Sequence, residues 1–203
     1  SNAAGGVSVC GSTFKMYGGT ISGNEALTYN HVGGGVYVQP WPDLEQTINK
    51  IHPRVSSYFY MYGGSIANNT ANCGGGVYIA DNGALFLCGN SKVSGNTVPE
   101  NGKDSDNNVF VQSVNSRVVC VNGFVPEANK VGISTSNPYS GKDVVISPKN
   151  VDEAAPNYKL AANNIQGYDR TYDATTVDAN VKSFKYDGEG FTIVDDPTKD
   201  GMM

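Results

Sequence analysis

Charged side chains are scarce in this sequence: 16% of 203 residues, with 14 Lys and Arg against 19 Asp and Glu and a formal net charge of -5. No Lys/Arg cluster stands out, so the basic face that a nucleic-acid partner requires is missing, and no such partner is expected. No stretch approaches the ~18–20 apolar residues of a membrane span. The four cysteines, Cys10, Cys73, Cys88 and Cys120, form no CxxC, and no His lies at ligand spacing, which argues against zinc. Their even number allows two disulfides, but in a chain of this length free thiols buried as small hydrophobes are the expectation. The two histidines, His31 and His52, lack a Cys or Ser partner motif and read as loop residues. Arginine is confined to Arg54, Arg117 and Arg170, with no two at one repeat position.

What the sequence does contain is a repeat. MYGGTISGN occupies 16–24 and MYGGSIANN occupies 61–69; each is followed by a triple glycine and an apolar-aromatic run, GGGVYV at 33–38 and GGGVYI at 74–79. Self-similarity on this scale marks a stacked-coil architecture. The first copy divides into three short segments beginning at residues 7, 14 and 21. Val7 and Val9, then Phe14 and Met16, alternate with polar residues, and a period of two places one strand face inward. Equivalent starts at Val7, Val36, Val77 and Val109 predict about four rungs, each with three strands around a triangular section. In-register stacking pairs each backbone with the rungs above and below. Asn24, Asn69 and Asn96 end the third strand at equivalent places, and stacking them predicts an internal amide ladder.

The reading divides the chain into a tag remnant at 1–3, coils at 4–122 and a C-terminal cap and appendage at 123–203. Residues 39–58 interrupt the second rung. Within this insertion, Asp43 as N-cap and Leu44, Ile48 and Ile51 at helical spacing predict a short helix that Pro53 ends. Further strands are expected at 130–134 and 144–146, and a hairpin over 181–194, where Phe184 and Tyr186 alternate before an Asp-Gly-Glu-Gly turn. The segment opens inside a worn copy of the glycine motif, so it reads as part of a longer polypeptide.

FKMYGGTISGN at 14–24, FYMYGGSIANN at 59–69 and the two GGGVY motifs resemble the right-handed parallel β-helix repeats of bacterial surface and adhesin-like proteins, within the pectin-lyase-like superfamily. The similarity covers residues 5–111. It implies an all-β right-handed parallel β-helix with a β-rich C-terminal cap, in a secreted or cell-surface setting. As a guide to activity the fold says little, because it hosts lyases, hydrolases, adhesins and stalks.

Lyases and hydrolases of this fold converge carboxylates on one sheet. Here the coil strands carry almost none, so no catalytic residue is assigned. Residues 104–108, Asp-Ser-Asp-Asn-Asn, resemble the start of a calcium loop but have Val109 at the glycine position and Asn115 at the glutamate position, and read as a polar turn. No metal site and no cofactor are expected. The aromatics offer more. Alternation turns Tyr37, Tyr78 and Phe110 outward in one column, and Tyr17 and Tyr62 form a second that Cys88 continues. Such columns stabilise a sheet or offer flat faces to sugars or a partner protein, and Trp41 between two prolines stands near. The expected function is a non-catalytic, adhesin-like scaffold that binds a glycan or a host or cell-surface protein. The alternative is a polysaccharide lyase or glycoside hydrolase with an atypical site.

Overall fold

A computed structural model describes residues 4–40, 56–100, 103–113, 116–120, 124, 131–135 and 184–187. Among them the chain is all β, without a helix, and the β-strands pair in parallel with one exception. Trp41, His52, the helix expected in the insertion and the strand expected at 144–146 lie outside the described residues. Both ends of the insertion are themselves strand, at Gln39 and at Ser57 and Tyr58.

The chain passes through four sheets in rotation. β1 (Val7–Cys10), β2 (Thr13–Met16), β3 (Thr20–Ser22) and β4 (Glu25–Ala26) make the first turn. β5 (Val36–Gln39), β6 (Ser57–Met61), β7 (Ser65–Ala67) and β8 (Thr70–Ala71) make the second, and β9 (Val77–Ile79), β10 (Gly83–Leu87), β11 (Lys92–Ser94) and β12 (Thr97–Glu100) the third. β13 (Lys103–Asp106) then folds back antiparallel on β12, the single exception. β14 (Val109–Val111) and β15 (Arg117–Cys120) resume the rotation, and β16 (Val131–Thr135) and β17 (Phe184–Tyr186) add to the sheet of β1. The resulting sheets are A (β1-β5-β9-β14-β16-β17), B (β15-β10-β6-β2), C (β11-β7-β3) and D (β13-β12-β8-β4), and they do not close into a barrel.

The fourth strand per turn departs from the three-strand reading. Its two-residue members, Glu25–Ala26 and Thr70–Ala71, are too short to show alternation. They pair nonetheless, and the Thr70 and Thr97 hydroxyls meet at 3.2 Å. Of the hairpin expected over 181–194, residues 184–187 are described, and there β17 runs parallel to β16.

Register is strict where the repeat is strict. Val36 pairs with Val7 on one side and Val77 on the other, and Val77 with Val109. Phe59 lies between Phe14 and Leu85, and Ile66 between Ile21 and Val93. Apart from Phe14, which is exposed, these inward columns join or pack against one core cluster with Val9, Val38, Ile79, Met61 and Leu87. Each fully buried aliphatic or aromatic side chain contributes about 1.5–3 kcal/mol. A one-residue slip would turn the whole set outward, which is why the register holds.

Two polar devices fix the corners. The residue before each of Asn24, Asn69 and Asn96 is left-handed, with φ of 67° at Gly23, 55° at Asn68 and 64° at Gly95; glycine and asparagine are the residues that tolerate it. The asparagines then chain together. Nδ2 of Asn24 donates to Oδ1 of Asn69 at 2.9 Å, Asn69 to Asn96 at 2.9 Å, and Asn96 to Asn108 at 3.1 Å. Each acceptor also takes the backbone N–H of the preceding ladder residue at 3.1 Å. The series ends on Asp187, whose Oδ2 accepts Asn108 Nδ2 at 3.0 Å and the Asn108 N–H at 2.8 Å. A carboxylate suits the last place, because it accepts without bringing an amide that must itself be satisfied.

Triple glycine has a packing cause. A Cβ at Gly75 would lie 2.1 Å from the Thr97 carbonyl oxygen, and one at Gly76 2.3 Å from that of Asn108. Sheets A and D approach so closely at this corner that backbone meets backbone.

Candidate binding face

The tyrosine columns fall in two different environments. On sheet A, Tyr37, Tyr78 and Phe110 are register neighbours and stand outside the inner core cluster, as alternation requires. Tyr37 meets Tyr78 edge-on with ring centroids 5.5 Å apart, and Tyr78 stacks on Phe110 at 5.1 Å. Yet Tyr37 and Phe110 retain only 5% and 8% of their exposure, and Tyr78 is half-buried. Burial pushes the Tyr78 hydroxyl well above its ordinary pKa of 10.0, with the neighbouring Cys73 and Tyr37 adding to the rise. This column is a second apolar layer, worth about 0.5–1.5 kcal/mol per ring pair beyond its area.

Sheet B is covered in the same way. Tyr60 and Phe86 stack at 4.4 Å on its outward face and are buried with Val119. Both faces of these strands are apolar, the pattern of a parallel sheet covered on two sides. Among the described residues the buried Tyr60 hydroxyl has no hydrogen-bond partner, and burial raises its pKa strongly.

The second column remains open. Tyr17 and Tyr62 follow the last residues of β2 and β6, at the corner where sheet B gives way to sheet C. Their rings stack at 4.9 Å and 7° from parallel, and Tyr17 is 73% exposed. Glycines open the corner beyond them: a Cβ at Gly18 or Gly19 would meet nothing within 4 Å. The outward face of sheet C continues the surface with short hydroxyl side chains. Ser65 Oγ lies 3.2 Å from Thr20 Oγ1, with Ser22, Lys92 and Ser94 exposed beside them. Burial, followed by the nearby Cys88 and Tyr17, raises the Tyr62 pKa, so the Tyr62 phenol stays a neutral donor and acceptor at physiological pH. An exposed flat ring pair next to a low, hydroxyl-lined strip can take an apolar ring face and hydrogen-bond its rim.

Among the described residues Cys10, Cys73 and Cys88 are free thiols. Burial raises Cys73 from an ordinary 9.0 to about 12, the Gly74 backbone pulling slightly the other way, and burial alone takes Cys88 to about 12. At pH 8 such a thiol is ionised about one part in 10⁴, against about one in ten at the ordinary value. Burial raises the Cys10 thiol as well, and Cys10 and Cys73 are both half-buried whereas Cys88 is buried; iodoacetamide is therefore expected to modify Cys10 before Cys88, with peptide mass spectrometry locating the label, and equal rates at the two would contradict the burial described. The same shift sets a sign. Thiols raised on folding stabilise the fold fully below about pH 9, and that contribution is lost as pH rises toward 12.

Among the described residues no three His, Cys, Asp or Glu side chains gather where a metal ion could sit. Asp104 and Asp106 of the would-be calcium loop are exposed on β13, whereas Asn107 and Asn108 turn inward. Asn107 Oδ1 accepts the Gly74 N–H at 3.0 Å. Sequence reasoning missed Tyr29, 88% exposed, and Leu27 on the first turn, and no repeat signal marks them. It also missed Asn108 as a ladder member. The signal was there: Asn107-Asn108 stand where Gly75-Gly76 precede β9.

No protein-family model matches the chain, and neither a curated protein nor a solved structure matches it.

Proposed function

We propose that the chain is a right-handed parallel β-helix of the pectin-lyase-like kind, serving as a non-catalytic, adhesin-like module of a secreted or cell-surface bacterial protein, and that it binds a glycan at the Tyr17–Tyr62 corner. The rotation of the chain through four sheets whose successive turns pair in parallel supports the helix reading, and right-handedness is the expectation from the strong preference of parallel crossovers for that hand. The binding reading rests on one observation: the Tyr17–Tyr62 pair is stacked, exposed and bordered by hydroxyls, while the sheet A column of Tyr37, Tyr78 and Phe110 is buried. Sugar rings present an apolar face and a hydroxyl rim, and such a surface complements both.

The test is glycan-array binding of the chain and of its Tyr17→Ala and Tyr62→Ala variants. Each variant should lose about tenfold or more in affinity for whichever glycan binds, equivalent to about 1.4 kcal/mol. Thermal stability should stay within about 1 kcal/mol for Tyr17→Ala, because that ring is exposed. Tyr37→Ala should instead destabilise the fold and leave glycan affinity unchanged in the folded fraction. Turnover of a uronic-acid polymer, or binding indifferent to Tyr17 and Tyr62, would overturn the reading.

A further inference from the structure

Charge is distributed unevenly around the coil. The strands of sheets B and C contain no Asp or Glu, and the charged residues they do contain are Lys15, Lys92 and Arg117. The carboxylates among the described residues lie elsewhere. Glu25, Glu100, Asp104 and Asp106 belong to sheet D, Asp81 to the turn between β9 and β10, and Asp187 to the end of the amide ladder. In a chain with a formal net charge of -5, two adjoining sheets that carry cations alone run against the overall sign.

Two of these cations flank the Tyr17–Tyr62 pair. Lys15 is exposed on β2 two residues before Tyr17, and alternation puts both on the outward side. Lys92 is exposed on β11 in register with Ser65, which is itself in register with Thr20. It therefore continues the row of hydroxyls that borders the rings, two strand spacings, or roughly 10 Å, from Thr20. A neutral sugar lying there draws only on the rings and the hydroxyls. An acidic substituent draws on the ammonium as well, through a charge-assisted hydrogen bond roughly twice as strong as a neutral one. No carboxylate on these strands repels it. A lysine is a point charge with rotatable donors and imposes no planar fork, so a carboxylate and a sulfate ester suit it alike.

We propose that the glycan taken at this corner is an acidic one, bearing a carboxylate or a sulfate ester, and that Lys92 sets this preference. Thr20 and Ser65 hydrogen-bond the sugar beside the charged group, and Lys15 supplies a second positive site across the tyrosines. The inference rests on the Tyr17–Tyr62 reading and adds the charge of the ligand to it.

The probes are array glycans in matched sets that differ in one substituent: sulfated, carboxylated and neutral. The whole chain should bind the acidic members at least about fivefold more tightly than the neutral member. That advantage should shrink between about 50 mM and about 500 mM salt, as screening of exposed charges requires. Lys92→Ala should remove most of the preference and Lys92→Arg should keep it, while Lys103→Ala, on β13 of sheet D, should leave it as it is. A preference for either acidic member supports the proposal and names the group. Equal or tighter binding of the neutral members, or a preference that survives Lys92→Ala, would overturn it. If that binding still falls with Tyr17→Ala and Tyr62→Ala, the corner reading stands and the charge inference alone fails. Acidic-glycan binding that needs Lys92 but ignores both tyrosines sinks the corner reading instead, and no binding to any member sinks both.

Discussion

Gly75→Ala is expected to lower the midpoint of thermal unfolding by at least about 6–12 °C, or to prevent folding, while Gly18→Ala leaves it nearly unchanged. The two glycines lie in different glycine motifs, Gly18 in the first copy of MYGG and Gly75 in the triple glycine after the second, and meet different surroundings. A Cβ at Gly75 would lie 2.1 Å from the carbonyl oxygen and 2.6 Å from the nitrogen of Thr97, whereas at Gly18 nothing lies within 4 Å. The obstacle at Gly75 is backbone, so no side chain can rotate away, and the turn-to-turn spacing itself must open. Ordinary overpacking of a core costs about 1–3 kcal/mol. Spreading a backbone ladder should cost at least about 3 kcal/mol, which in a chain of this length corresponds to the stated shift. Gly18 keeps an ordinary negative φ, so its replacement should fall within about 0.5 kcal/mol. Differential scanning calorimetry of both variants decides the matter. Equal shifts would mean that the triple glycine serves chain flexibility and not close approach.

Asn96→Ala should destabilise the protein by about 3–5 kcal/mol in urea unfolding, against about 1 kcal/mol for Asn24→Ala. Asn96 is fully buried in mid-ladder. Its Oδ1 accepts the Asn69 N–H and Nδ2, and its Nδ2 donates toward the Ile66 and Ser94 carbonyls and to Asn108 Oδ1. Removing it strands several buried polar groups at once, each costing about 1–3 kcal/mol, tempered by local relaxation. Asn24 sits at the exposed end, and its loss leaves the residue 24 N–H still bonded to Asn69 Oδ1. Asn96→Asp should be about as damaging as Asn96→Ala, because it turns a carboxylate toward the Asn108 acceptor. Only the end position, held by Asp187, suits that group. Similar losses for the end and middle variants would show that the ladder contributes no more than single surface hydrogen bonds.

Both predictions concern features that the residues announced to different degrees. The inward columns were legible because Val7, Val36, Val77 and Val109 begin runs of matching alternation, and the pairing of Val36 with Val77 follows directly. The amide ladder was legible from Asn24 to Asn96 because those residues recur at one place after the third strand. Its continuation was hidden by a change of position: Asn108 precedes a sheet A strand, and Asp187 arrives from a segment with no repeat character. Sheet D escaped notice because two-residue strands carry no period. The binding column was half legible. Alternation distinguishes inward from outward, so it placed Tyr37, Tyr78 and Phe110 off the inner core, but it says nothing about how accessible the outward side is. The exposure of Tyr17 and the burial of Phe110 therefore carry no signature in the alternation.

The last bond of the ladder has a consequence for how the protein is made. The earlier steps join residues 45, 27 and 12 apart in sequence, whereas Asn108 and Asp187 are 79 apart. On a ribosome adding about 5–20 residues per second, residue 187 follows residue 108 by about 4–16 s. For that interval the nascent chain holds Asn24 through Asn108 without the carboxylate that finishes the series, so a stop before residue 187 would release it with the Asn108 amide still unanswered.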